Sequence, residues 1–131
     1  RTLAALRLTG CKNTSRARKA GPTSVEALDW GMVFDVGAPV PDDVAYLGVR
    51  ANHIHLDNRG KPGRNSFELR VARVSDSRFE RLVLLDPPRE DGLSRLSWKM
   101  GTVDVPASEL PQEGEVLRLH FDASKILMVS R

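Results

Sequence analysis

Apolar and polar residues alternate along much of this chain with a period of two, the repeat of a half-buried β-strand. The cleanest case is Leu117-Arg118-Leu119-His120-Phe121-Asp122, in which every second residue is apolar. Phe67, Leu69 and Val71 alternate in the same way with Glu68, Arg70 and Ala72, and Val74 falls out of phase, which predicts a β-bulge. Val25 to Trp30 and Met32 to Val36 are β-prone runs broken by Gly31, and residues 37–43 read as a Pro- and Asp-rich loop. Val44 to Leu56 is a long extended candidate interrupted near Gly48. Arg78 to Leu85 is the expected hairpin partner of the strand before it, Leu96 to Val105 a further strand kinked at Gly101, and Ile126 to Val129 the closing strand. Only the start departs from this pattern. In residues 2–9, Leu3 and Leu6 share a helical face, Thr2 is a candidate cap and Gly10 a stop. A helix so short is not stable alone and must dock on something.

Roughly seven to ten short strands with almost no helix imply an all-β barrel or sandwich. A small Greek-key barrel of the oligonucleotide/oligosaccharide-binding (OB) type fits best. Residues 57–65, with two Gly, one Pro and several basic side chains, separate two halves that read as related modules, although a repeat is too faint to establish from one sequence.

With 131 residues the chain is one ordinary domain or two very small modules. No stretch approaches the roughly 20 apolar residues of a membrane span. There is no initiating Met and no secretory-type leader, so the expectation is a piece of a longer or processed polypeptide. A single cysteine, Cys11, excludes an internal disulfide and fits a reducing compartment. The net charge of +3 is mildly basic, and aromatics are few (four Phe, two Trp, one Tyr), too few for rows of stacked bases.

Catalytic chemistry is hard to place. The chain has neither a phosphate-binding P-loop nor a nucleophile elbow. Cys11 is beside Lys12, but the histidines are distant in sequence, and a small semi-buried thiol is the simpler reading. His53, His55 and Asp57 would share one strand face and could suggest a metal, yet no fourth ligand is evident and a solvated face explains them better. Two basic clusters remain. Arg16 to Lys19 reads as a hydrated hairpin rather than a nucleic-acid patch. Arg59 to Ser66 combines Gly-bearing backbone N–H groups with Lys61 and Arg64, a nest suited to a small oxyanion, against the plainer alternative of a flexible, solubilising loop.

Several of these segments resemble a known family. Thr2-Leu3-Ala4-Ala5 followed by Leu8-Thr9-Gly10-Cys11-Lys12-Asn13 is similar to the segment after the nucleotide-binding domain in ATP-binding subunits of ABC importers, in the form of the molybdate/sulfate branch. Gly48-Val49-Arg50-Ala51-Asn52-His53-Ile54-His55-Leu56 resembles a characteristic strand of that group. Arg64-Asn65-Ser66-Phe67 with Val71 and Val74 is similar to the Arg-Asn opening of a TOBE or Mop-like module, and Gly114 to Met128 to its closing strands.

The resemblance implies small OB-like (TOBE) barrel modules with one short N-terminal helix. Residues 1–9 would end a linker from an ATPase domain outside this chain, residues 10–63 would form a first β module and 64–131 a second. It implies a regulatory region in the cytoplasm, peripheral at the inner face of the membrane, homodimerising through this region and assembled with its parent ATPase domain and membrane permease subunits. ATP and magnesium would belong to that parent domain, with no catalytic or metal site and no nucleic acid here. Molybdate, tungstate or sulfate is the implied ligand, with Lys61, Gly63, Arg64, Asn65, Ser66 and Ser124 as candidate contacts. Two positions depart from the family pattern. The Lys before its Ala-Ser is Asp122 here, and the hydroxyl residue two places before its Arg is Pro62. A carboxylate beside an anion site adds repulsion. Two other readings stay open: the equivalent domain of a sugar or polyamine importer, which binds no ligand, and a nucleic-acid-binding OB barrel.

Overall fold

Ten strands and one short helix form from the described residues of this computed structural model, which are 3–8, 10–11, 13–56, 65–76, 81–87, 95–100 and 111–130. The helix α1 (Leu3–Leu8) is followed by β1 (Asn13–Gly21), β2 (Ser24–Ala27), β3 (Met32–Asp35), β4 (Val44–Val49) and β5 (Ile54–Leu56). The second half repeats the order with β6 (Ser66–Asp76), β7 (Arg81–Asp86), β8 (Leu96–Met100), β9 (Val116–Phe121) and β10 (Leu127–Ser130). A one-turn 3-10 helix precedes the last strand of each half, Ala51–His53 in the first and Ala123–Lys125 in the second.

The pairing shows an internal two-fold repeat with an exchange of strands. One sheet runs β10-β4-β1-β2-β3 and the other β5-β9-β6-β7-β8, the same order with the halves interchanged. Each half therefore gives its last strand to the sheet of the other. The registers agree in detail: Thr14, Gly48 and Leu127 lie side by side across the first sheet, and Ser66, His120 and His55 across the second. Leu47-Gly48-Val49-Arg50-Ala51-Asn52-His53-Ile54 thus corresponds to Leu119-His120-Phe121-Asp122-Ala123-Ser124-Lys125-Ile126, with Leu, Ala and Ile in common. β5 and β10 each pair with strands of the other half of the sequence.

One core serves both halves. Phe34 from the first sheet packs edge to face against Phe67 and Phe121 of the second at centroid distances of 5.3 and 5.2 Å, and Trp30 stands against Phe34 at 6.3 Å. Val25, Met32, Leu47 and Val49 from the first sheet and Leu85, Leu96 and Leu119 from the second complete the cluster. Trp30, Phe34, Trp98 and Phe121 are buried in it.

Two buried asparagines join the sheets at their edges. Asn13 opens β1, and its side chain donates from Nδ2 to the Ser97 carbonyl (2.9 Å) and accepts at Oδ1 from the Ser97 N–H (2.6 Å). Asn65, just before β6, does the same with Asp35, at 2.9 and 2.8 Å. Each amide acts as one more rung of a β-ladder, and each reaches from its own sheet to the edge strand of the other. Asn65 holds the left-handed conformation (φ 59°), which Asn tolerates better than most residues.

One local expectation needs correction. The extended segment from Val44 is broken not at Gly48, which stays in strand β4, but at Ala51–His53. The reason for Gly48 is close approach: a Cβ there would stand 3.1 Å from Cys11 Cβ and Sγ and 3.4 Å from Leu6. This is the seat of α1, whose Leu6 packs with Cys11 and Val129, flanked by Leu3, Tyr46 and Leu127. The Arg16–Lys19 cluster lies in β1, which forms an antiparallel hairpin with β2, with Arg16 paired to Asp29, Arg18 to Glu26 and Lys19 to Asp42. The bulge falls between Val71 and Arg73, close to where Val74 loses phase. The Thr2 cap and the Gly101 kink lie outside the described residues.

Replacing Asn13 or Asn65 by Ala removes two hydrogen bonds and leaves the Ser97 or Asp35 backbone pair unsatisfied. Each substitution should lower stability by about 2–3 kcal/mol in urea unfolding. Gly48→Val should unseat α1 while leaving the sheets intact. The buried Cys11 thiol should then react about tenfold faster with a thiol reagent, equivalent to about 1.4 kcal/mol less docking free energy.

Candidate functional site

The start of β6 lies beside the end of β9, because Ser66 pairs with His120 and the Phe121 N–H donates to the Asn65 carbonyl at 2.9 Å. This brings Asn65 and Ser66 to the same end of the second sheet as the turn Asp122-Ala123-Ser124-Lys125. Lys61, Gly63 and Arg64 lie outside the described residues. The three described candidates are therefore collected in one region, but they are not equally available to a ligand.

Asn65 is buried, and both polar atoms of its amide are engaged with Asp35. Its side chain holds the sheets together, and only through the chain on either side does it position a site. Ser66 is half-buried, with Oγ 3.4 Å from His120 Nδ1. Ser124 is exposed, and both of its donors turn inward: its N–H and its Oγ–H go to Asp122 Oδ1 at 3.0 and 2.8 Å. Those hydrogen bonds hold the Asp122 carboxyl below the ordinary carboxylate range, with lesser help from Lys125 and His120 against a small opposing effect of burial. Asp122 thus remains charged and occupies the two donors that an oxyanion at Ser124 would use.

The repeat places a second, equivalent end in the first half, which single-sequence reasoning missed. Lys12-Asn13-Thr14 matches Arg64-Asn65-Ser66 in residue type, and Arg50-Ala51-Asn52-His53 matches Asp122-Ala123-Ser124-Lys125 in position. The signal was present as a basic residue, Asn and a hydroxyl residue in succession, twice. The sign of charge differs at the turn, where Arg50 stands in the first half and Asp122 in the second.

The two turns feel each other electrostatically. Burial lowers the His53 imidazole below its ordinary 6.5, Lys125 and Arg50 push the same way, Asp122 opposes them, and His55 adds to the lowering. Within the described residues, His53 Nδ1 is buried without a hydrogen-bond partner. Among those residues no group of three or more His, Cys, Asp or Glu is arranged to hold a metal ion. No helix among them is long and apolar enough to cross a membrane.

The two curled five-stranded sheets define an all-β protein of small OB-like modules with one short N-terminal helix. Among solved structures, the cytoplasmic molybdate-binding protein ModG, in a crystal form with molybdate bound, shares this fold. Its TM-score is 0.64, covering 92% of this chain and 97% of the ModG chain at 15% sequence identity. No sequence family matches the chain, and no curated protein does either.

The lowered His53 gives a signed pH dependence. The folded state binds fewer protons than the unfolded state between the depressed folded value and 6.5, so stability is fully present above 6.5 and falls as the pH drops below it. The thermal midpoint should decline from pH 7.5 to 5.5, and His53→Gln should flatten that part of the profile.

Proposed function

We propose that this chain is an oxyanion-binding regulatory domain of the ATP-binding subunit of an ABC importer of molybdate/sulfate type. The observation that carries this reading is the repeated end of the fold: two basic-Asn-hydroxyl segments, each held by a buried Asn clasp beside a 3-10 turn, on a fold shared with a molybdate-binding protein. In this reading the chain binds rather than catalyses. Backbone N–H groups near Gly63 to Ser66 meet a tetrahedral oxyanion, Lys61 and Arg64 supply charge, and cavity size selects among molybdate, tungstate and sulfate. ATP and magnesium are handled by the parent's own ATPase domain. The domain pairs with a second copy at the cytoplasmic face of the membrane complex and contacts the permease subunits.

One observation favours a second reading. Asp122 already takes both Ser124 donors, so this end suits a domain that contacts partners without a ligand, as the sugar or polyamine importer alternative requires. The nucleic-acid reading has less support: the described aromatics of the barrel are mostly buried in the core, and the Arg16–Lys19 charges are matched by acids.

Calorimetric titration at pH 7.5 with molybdate, tungstate and sulfate separates these. Saturable binding of one of them, weakened about tenfold or more by Arg64→Ala, is the expected result, since a charge-assisted contact is worth about 1.5–3 kcal/mol. No heat with any of the three, together with a concentration-dependent dimer in sedimentation, would replace the ligand-binding reading with the partner-contact one.

A further inference from the structure

The two halves of the repeat differ most on the outer face of their sheets. In the first sheet Thr14, Gly48 and Leu127 lie in a row across three strands, where Gly48 admits Cys11 and Leu6 and Leu127 packs with them beneath α1. At the matching positions of the second sheet stand Ser66, His120 and His55, again directly opposite one another on β6, β9 and β5. Residues opposite one another on antiparallel strands point to the same face with Cβ atoms about 4.5–5.5 Å apart. The apolar seat of one half is thus a hydroxyl and two imidazoles in the other. His55 is exposed, while His120 and Ser66 are half-buried.

We propose that Ser66, His120 and His55 form an anion-binding row that takes up a tetrahedral oxyanion when the imidazoles are protonated, so that mild acid raises the chain's affinity for such anions. This rests on the oxyanion reading above for the class of ligand, but not on its loop residues. Two imidazolium groups at that spacing repel one another unless an anion lies between them, and each offers N–H donors to it, with the Ser66 hydroxyl as a third.

The surroundings favour an anion over a metal cation. Arg118 is on β9, two residues from His120 on the same face, and Arg70 is on β6. At the turns, Arg50, His53 and Lys125 form one electrostatic group with His55. Three acids face this set among the described residues, of which Asp86 lies opposite Arg70 and is paired with Arg95. Glu68 lies opposite Arg118, and Asp122 is bound by Ser124. A dication held by His55 and His120 would meet this positive field without a carboxylate ligand.

Sulfate is the suitable probe, because it remains a dianion from pH 5.5 to 8. At constant ionic strength the wild-type chain should bind it about tenfold or more tightly at pH 5.5 than at pH 8. The imidazole proton resonances of His55 and His120 should shift on addition of sulfate at pH 5.5. His55→Gln and His120→Gln, which keep a polar group on an outward face, should each abolish most of that gain. Ser66→Ala should weaken binding without removing the pH dependence. Sulfate affinity that does not depend on pH, or a pH dependence that survives both His substitutions, overturns the row. So do resonances that answer to zinc at pH 8 and not to sulfate at pH 5.5. Molybdate binding at pH 7.5 that is lost in Arg64→Ala, with the histidine resonances unmoved by sulfate, overturns the row and keeps the loop site. Histidine resonances that shift with sulfate equally in wild type and Arg64→Ala support the row even if the loop binds nothing.

Discussion

Both sheets depend on the reciprocal clasp of Asn13 on Ser97 and Asn65 on Asp35. A five-stranded sheet that curls without closing leaves two edge strands with unpaired backbone groups, and β3 and β8 are one of the two in each sheet. A carboxamide has one donor and one acceptor in nearly the geometry of a peptide unit, so a single buried Asn completes a rung that no further strand supplies. The bond runs between sheets in both cases, so each edge is secured to the opposite half. Together with the exchange of β5 and β10, this makes neither half a complete folding unit, and the shared Phe34–Phe67–Phe121 cluster follows from the same interlock. The strain at Asn65, with φ at 59°, is tolerated because its backbone carbonyl and its side chain are all used at once.

A repeat held together in this way leaves surface positions free to diverge, and here they have. The inward residues stay apolar or clasp-forming, as in the pairs Leu47 and Leu119, Val49 and Phe121, Asn13 and Asn65. Outward residues carry the differences: Gly48 against His120, Leu127 against His55, Arg50 against Asp122. The glycine and leucine make room for a helix that is only six residues long and could not persist without that seat. The same face of the other sheet needs no such cover, because its side chains are polar.

Strands whose inward residues are large and apolar were legible from sequence, as β6 and β9 show. β1 was legible only as a charged hairpin arm, because its inward positions are Asn13, Ser15 and Ala17, which carry little hydrophobic signal. Gly48 looked like a break since a glycine in a strand has no local reason to be there. Its reason is Leu6 and Cys11, tens of residues earlier. The repeat itself was hidden by the longer β6–β9 stretch of the second half, which shifts the matching segments by different distances. At the candidate site, the family resemblance selected Asn65, Ser66 and Ser124, and these do gather at one end of the second sheet. What each side chain does there depends on partners distant in sequence, Asp35 for Asn65 and His120 for Ser66.

The sign of charge at the two turns has a further consequence. Arg50 and Asp122 occupy matching positions, so the two ends of the repeat cannot treat an anion alike. At the second end the charge of an incoming oxyanion must compete with a carboxylate held ionised by two hydrogen bonds from Ser124. At the first end the corresponding group is a guanidinium, which attracts the same ligand and also disfavours protonation of His53 beside it. The two ends, equivalent under the two-fold, therefore differ in charge, with a guanidinium at the first and, at the second, a carboxylate that accepts two hydrogen bonds from Ser124. The second end also does structural work whether or not an anion is bound, since the Phe121 N–H on the Asn65 carbonyl locks the start of β6 to the end of β9 and the Asn65 side chain ties both to Asp35.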